Sequence, residues 1–338
     1  MLPEIPDLRQ SLADLARQIP CGTVTTFGDL AKGLGDVAAA RWVATVLAES
    51  PADLPWQRVI LRTNCWPGRD SARQKLQRKL LAAEGVAGDA AGVARDVPRF
   101  TEFSGPRPLA LLSDWQRESA QHVERSPLRQ RPATLAGLDI SYATPDLAVA
   151  AWVQSPRNAP RQQVELTISS LVTFPYITGY LTFRELPVLL ELVRAAEREG
   201  LAADVLLVDG SGVLHPRRAG IATALGALTG LPTIGVTKHH LYGKAEAARD
   251  EIVTWLQQDG ERLGARLQPP GRKTPLYVSV GHGLSLEQAV ELVEESLDDS
   301  GQPGLIRAAD GISRATARIL SRQAGGYAGG ASTTTSAD

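Results

Sequence analysis

The stretch Leu206-Leu-Val-Asp-Gly-Ser-Gly-Val-Leu-His-Pro-Arg-Arg218 constrains this chain more than any other. An apolar run, Val205 to Val208, ends abruptly in Asp209. A glycine-spaced turn then leads to His215 and what reads as a helix from Arg217 to Leu228. An apolar run followed by an acid and a turn into a helix is how an α/β fold presents a carboxylate at the carboxyl edge of a buried strand. Gly210 and Gly212 let a ligand come close to the backbone there. Taken alone, the pattern fits an ordinary strand-to-helix turn with a solvated acid equally well. The other acids of the chain shift that balance.

At 338 residues the chain is long enough for two domains with their own cores. No apolar run is long enough to span a bilayer and nothing reads as a signal peptide, so no membrane partner is expected. The two cysteines, Cys21 and Cys65, form no zinc or disulfide pattern, which predicts a reducing, cytoplasmic setting. The formal net charge of −1 argues against a chain that binds nucleic acid by bulk charge. The segment from Pro55 to Leu80 is locally basic, with Arg58, Arg62, Arg69, Arg73, Lys75, Arg78 and Lys79 against Asp70 alone. By itself that reads as a solvated helix face. Residues 87–108 lose periodicity and gather Gly, Pro and Ala, which predicts a linker. Residues 324–338 read as a disordered tail. The expected domains are therefore 1–86 and 109–323.

In the first domain, Leu8, Leu12, Leu15 and Ile19 have helical spacing. A turn at Pro20-Cys-Gly22, a short helix Asp29–Leu34 and a further helix Val37–Glu49 follow. Two short helices joined by a glycine-containing turn make a helix-turn-helix possible. Ile19-Pro-Cys-Gly-Thr-Val-Thr-Thr-Phe-Gly-Asp-Leu-Ala31, Ala39-Ala-Arg-Trp-Val43 and Pro55-Trp-Gln-Arg-Val59 resemble the winged-helix-like DNA-binding domain of O6-alkylguanine-DNA alkyltransferases. That family's motif is Pro-Cys-His-Arg-Val, in which the cysteine accepts the alkyl group. Here Trp56 and Gln57 replace the cysteine and histidine. An indole is no alkyl acceptor, so transfer is not expected. Alkyltransferase-like proteins carry tryptophan there and bind O6-alkylguanine without repairing it. The resemblance implies that Arg41 fills the stack vacated by a flipped base, Phe27 helps rotate the nucleotide, and Trp56 and Arg58 border the lesion.

In the second domain, strands are predicted at Leu135–Tyr142, Leu147–Gln154 and Gln163–Leu171, with helix Thr182–Glu199 and strand Asp204–Asp209 next. Strands Pro232–Thr237 and Leu276–Val280 and helix Leu284–Leu297 close the series. Three antiparallel strands followed by alternating helices and strands is the order of a ribonuclease H-like α/β fold. Asp139 sits mid-strand, where a charge is costly without a partner. Glu185 lies at a helix start, where the helix dipole alone would suit it. If the first and fourth strands are neighbours, Asp139 and Asp209 converge, and clustered acids need a hard cation such as Mg2+.

Gly137-Leu-Asp-Ile-Ser-Tyr142, Phe174-Pro-Tyr-Ile-Thr-Gly-Tyr-Leu-Thr-Phe-Arg-Glu185, Val208-Asp-Gly-Ser-Gly212, His215-Pro-Arg-Arg218, Pro232-Thr-Ile-Gly-Val236 and Tyr277-Val-Ser-Val-Gly-His282 resemble endonuclease V, block by block and in order. The resemblance implies Mg2+-dependent nicking, with Mn2+ as a substitute, at the second phosphodiester bond 3′ to deoxyinosine. It makes Asp139 and Asp209 metal ligands and Glu185 their acidic partner. His215 orients water or the scissile phosphate, and Lys238 balances charge beside it. Tyr176 forms a strand-separating wedge, with Thr178 where the family has proline, and Gly210 and Gly212 admit the flipped base. The expected partners are damaged DNA carrying deoxyinosine or O6-alkylguanine, with RNA and other repair proteins as further candidates. Two alternatives remain open at this point: an alkylated-DNA binding module with an inactive nuclease, and an inosine-specific ribonuclease.

Overall fold

The computed structural model describes residues 2–49, 54–67 and 72–328. Its contacts divide the chain into two units, one of Pro3–Trp115 with Pro175–Tyr180, the other of Gln116–Phe174 with the chain from Leu181.

The first unit opens with α1 (Leu8–Arg17), capped by Asp7, whose side chain accepts the Gln10 N–H at 2.9 Å. The short strand β1 (Thr25–Thr26) runs into α2 (Phe27–Gly33), where Thr26 accepts the Asp29 N–H at 3.1 Å. These side chains satisfy amides that a helix start would otherwise leave bare. The helix expected from Val37 begins instead as a 3-10 turn, Val37–Ala39, and becomes α3 at Ala40–Glu49. β2 (Val59–Ile60) pairs in parallel with β1, and α4 (Ala72–Ala83) and α5 (Pro108–Gln121) follow. Leu12, Leu30, Val43 and Leu47 are buried between the first three helices.

The expected linker does not run free. Val93 and Val97 join Val24, Ile60, Trp66 and Leu81 in a small core, and the Trp66 indole donates to Asp89 O at 3.0 Å. Phe100 N–H donates to Val24 O at 2.8 Å, extending the strip of backbone pairing. Buried Val93 and half-buried Val97 outweigh the Gly and Pro content that reads as a spacer.

The second unit is a nine-stranded sheet in the order β5-β4-β3-β6-β7-β11-β10-β9-β8. β3 (Thr134–Thr144), β4 (Leu147–Pro156) and β5 (Val164–Leu171) form the antiparallel meander. α6 (Leu181–Arg198) leads to β6 (Val205–Asp209), α7 (Ile221–Thr229) and β7 (Thr233–Thr237). β6 is parallel to both β3 and β7, and Val205 to Val208 are at most 1% exposed, which is why that run is continuously apolar. α7 starts later than expected, at Ile221, because Arg218 takes a left-handed φ of 58° that no helix can hold. β8 (Lys244–Ala248), β9 (Val253–Gln258), β10 (Glu261–Leu267) and β11 (Leu276–His282) complete the sheet, and α8 (Leu286–Glu295) and α9 (Gly304–Ala328) close the chain.

α9 extends the fold beyond expectation. It carries residues 324–328 as helix, where a tail was predicted, since adding residues to a formed helix is far easier than starting one. Residues 329–338 of that expected tail lie outside the described residues, as does Arg69 of the basic segment. Among the described residues no helix is long and apolar enough to cross a membrane.

Candidate active site and lesion-binding residues

Register alone brings two of the predicted acids together. Leu138 on β3 pairs in parallel with Val208 on β6, so the next residues, Asp139 and Asp209, leave the two strands side by side. At that spacing the charge of Asp209 acts on Asp139. Burial, with Asp209 and Asp310 nearby, raises Asp139 to about 7. Burial also raises Asp209, against the pull of Lys238. Lys238 therefore lies where its charge reaches Asp209, and it lines a small recess with it beyond β7.

Glu185 joins this group from α6. That helix starts one residue earlier than expected, which places Glu185 as its fifth residue, outside the first turn. Its position owes less to the helix dipole than to Tyr142, whose hydroxyl donates to Glu185 Oε1 at 3.0 Å. The Arg184 guanidinium lies 4.5 Å from the Tyr142 ring centre and fixes the ring. Burial and the charge of Asp209 raise Glu185 to about 7, against the Tyr142 hydrogen bond.

Two members of the site were not anticipated. Asp310 on α9 acts electrostatically on both Asp139 and Asp209. Ser313, one turn on, is buried and donates to Asp139 Oδ2 at 2.7 Å, with the Ser141 hydroxyl 2.8 Å behind it. Their signal was present as apolar positions at helical spacing, Leu305, Ile306, Ala309 and Ala317, all buried.

His215 is buried and its pKa falls to about 4, through desolvation and the nearby charge of Arg217. It is neutral near pH 7. Its Nδ1 accepts the Arg217 backbone N–H at 3.2 Å, so the single ring proton sits on Nε2. His215 is thus a hydrogen-bond donor at Nε2, suited to an anionic oxygen or a water lone pair. His282 accepts the Glu124 N–H at 3.3 Å and reads as structural.

The glycines of the turn serve packing. A Cβ on Gly212 would lie 2.0 Å from Val280 O, and its N–H donates to Ser279 Oγ at 2.9 Å. Gly210 N–H donates to Val236 O at 2.9 Å. Both amides are engaged inside the protein, and the close backbone approach at Gly212 is to β11. Tyr176 is 67% exposed, in the segment Pro175–Tyr180 that groups with the first unit.

Among the described residues no three acids, histidines or cysteines already stand at metal-binding spacing. The donor set nevertheless suits a hard divalent cation. Asp139 and Asp209 stand side by side with further carboxylates in electrostatic reach, and burial raises both, a cluster whose charge a cation would neutralise.

In the first unit, Arg41 is exposed at the start of α3 and Phe27 is half-buried at the start of α2. Trp56 is half-buried, with the Arg73 guanidinium 3.9 Å from its ring centre. Arg58, expected to border the lesion, has its guanidinium engaged within the fold. It faces inward, bonded to Glu84 at 2.8 Å and to Ile19 O at 2.6 Å, and its side chain is 18% exposed. A carboxylate and a carbonyl in reach commit it to holding the fold. Cys21 and Cys65 are free and exposed.

The family model for Endonuclease V matches residues 117–311, more than half of the chain and all the candidate site residues from Asp139 to Asp310. The chain belongs to the endonuclease V family. An Endonuclease V of Roseiflexus sp. (strain RS-1) is 37% identical over 220 residues, covering 62% of this chain and 95% of that relative. The human Endonuclease V is 39% identical over 220 residues, covering 56% of this chain and 78% of its own. The crystal structure of the human catalytic domain, at 33% identity, covers 64% of this chain and 98% of that one with a TM-score of 0.58. A Ciona intestinalis Endonuclease V, in complex with a 24mer DNA containing an inosine followed by a ribo-adenosine, is 26% identical with a TM-score of 0.57, covering 63% and 98%. Residues 7–86 match a second family model, the DNA-binding domain of 6-O-methylguanine DNA methyltransferase. This member of the endonuclease V family therefore carries a fused alkyltransferase-like domain.

Proposed function

We propose that the chain nicks DNA at the second phosphodiester bond 3′ to deoxyinosine, using Mg2+, and that its first domain binds O6-alkylguanine without repairing it. The side-by-side placement of Asp139 and Asp209 carries the nuclease reading. Asp139 and Asp209 would hold the ion, with Glu185 and Asp310 completing the negative field around it. A bound Mg2+, or Mn2+ in its place, supplies Lewis-acid stabilisation of charge on the phosphate oxygens.

The remaining steps fall to this chain's own side chains. Asp139 and Asp209 would hold the ion as carboxylates, so a proton that burial keeps on them would be released as the site fills. His215 Nε2–H donates to the phosphate or to the attacking water and holds it in line. Because Nδ1 is occupied and the ring stays neutral, His215 positions rather than removes a proton. Lys238 offsets the negative charge beside Asp209. Exposed Tyr176 is the proposed wedge, a side chain able to stack where a base leaves.

In the first domain, Trp56 leaves no nucleophile for alkyl transfer, while Arg41 is exposed and able to enter a base stack. The reading is tested by Mg2+-dependent nicking of labelled duplexes carrying deoxyinosine, O6-methylguanine or neither. Cleavage only beside deoxyinosine, absent in Asp139→Ala, supports the nuclease half. Equal nicking by parent and mutant would reject it. The Ciona complex contains a ribo-adenosine after its inosine, so the same series run with one ribonucleotide there tests the RNA alternative.

A further inference from the structure

We propose that Arg314, Arg318 and Arg322, one helical turn apart on α9, form a track for the phosphates of the substrate strand as it leaves the carboxylate cluster. The proposal rests on the nuclease reading and specifies how that site holds its strand. Residues at this spacing share one face of a helix, and each step advances about 6 Å along the axis. The three arginines line an open groove of about 400 Å³, whose other wall holds Ser141 and Tyr142 at the end of β3. Those two residues already belong to the site, since Ser141 backs Ser313 and Tyr142 holds Glu185.

The track begins at the cluster itself. Arg314 pairs with Asp310 at 2.8 Å and its charge reaches Asp209. Arg318 and Arg322 are exposed and form no ion pair among the described residues. A merely solvated helix face usually mixes acids with its bases in i,i+4 pairs. From Gly311 to Gln323, however, α9 has three arginines and no acid. The adjoining face of the helix packs inward, with Ala309 and Ser313 buried, and buried Ala317 also lines the groove. A site built from four carboxylates repels a phosphodiester at range, and adjacent unpaired cations reverse that field.

The test measures binding of a labelled deoxyinosine duplex by the full chain, without metal, between 50 and 200 mM salt. Arg318→Ala/Arg322→Ala should flatten the slope of log K against log salt by about 1.8, corresponding to about tenfold less loss of affinity over that range. Its KM for nicking should rise, with the loss in KM rather than in kcat. Arg318→Lys/Arg322→Lys should keep the parent slope, because a phosphate accepts either cation. An alanine variant with the parent's slope and affinity, while the parent binds and nicks, would overturn the track and leave the nuclease reading intact. A parent that neither binds nor nicks the duplex would overturn both.

Discussion

His215 and the buried carboxyls titrate in opposite senses, and that opposition sets the pH behaviour of the metal-free protein. Asp139 and Glu185 keep their protons up to about 7 in the fold but lose them near 4 when unfolded. Their burial therefore costs stability progressively as pH rises from about 4 to about 7. His215 behaves the other way. Its folded pKa of about 4 lies below the unfolded value, so the neutral ring's stability is complete above about 6.5 and is lost as pH falls towards 4. In the parent the two trends partly cancel across this window. Asp139→Asn should remove one of the opposing carboxyls while Glu185 still offsets the histidine, so that Tm gains less than the parent's as the pH is lowered from 6.5 to 4. His215→Gln should unmask the carboxyls, with Tm falling as pH rises over the same window. Thermal melts without metal at half-unit pH intervals check both; identical profiles for parent and variants would contradict the assignment. At pH 7.5 a divalent cation should raise the parent's Tm by binding only the folded state, and raise that of Asp209→Asn much less. The same Asp209→Asn change should lower kcat/KM on a deoxyinosine duplex by about a hundredfold or more, since metal stabilisation of charge is worth several kcal/mol and each 1.36 kcal/mol is tenfold.

Between elements, the closeness of α9 to β3 decides whether the site is complete. A Cβ on Gly137 would lie 2.3 Å from the carbonyl carbon of Leu305 and 2.5 Å from Ile306 N, both backbone atoms that cannot yield by rotation. Gly137→Ala should push the start of α9 away from the sheet and draw Asp310 and Ser313 from Asp139. Nicking should fall about tenfold to a hundredfold, as misplacement by about 1 Å does, while stability drops by about 1–3 kcal/mol. Urea melts and kcat on one preparation separate the two effects. This contact was not legible in the sequence, whereas the strands it serves were. β3 and β6 announced themselves by apolar runs interrupted at Asp139 and Asp209, and their adjacency followed from strand order. α9 was overlooked because Gly304 and Gly311 weaken helix propensity, and its apolar face shows small residues such as Ala309 and Ser313 where it touches β3. β8 to β10 were missed for a different reason. The edge strand Lys244–Ala248 alternates charge with alanine, and Glu261–Leu267, paired between β11 and β9, carries Glu261, Arg262 and Arg266, so neither shows a continuous apolar run. Arg58 shows the limit of motif reading, since only side-chain geometry reveals that it binds Glu84 and the Ile19 carbonyl.

For the molecule as a whole, two lesion-handling units on one chain raise the question of whether each keeps its own substrate. The sites proposed for them draw on separate residues: Trp56, Arg41 and Phe27 in one, and the carboxylates with His215 and Lys238 in the other. Each set of substitutions should accordingly act on one lesion. Trp56→Ala removes a ring held by Arg73 at 3.9 Å. It should weaken binding to an O6-methylguanine duplex about tenfold, in keeping with about 1–3 kcal/mol for an aromatic contact to a base. Nicking of a deoxyinosine duplex by the same variant should stay within about twofold of the parent, since none of the carboxylates is touched. Asp209→Asn should do the reverse, abolishing the nick while leaving O6-methylguanine affinity in place. Running both variants on duplexes carrying one lesion or the two lesions together checks the separation. If Trp56→Ala slowed nicking only where both lesions are present, the first unit would be recruiting the nuclease along the strand, with local concentration as the coupling. If it slowed nicking on deoxyinosine alone, the assignment of separate substrates would fail, because a residue with no place in the carboxylate site would then govern its chemistry.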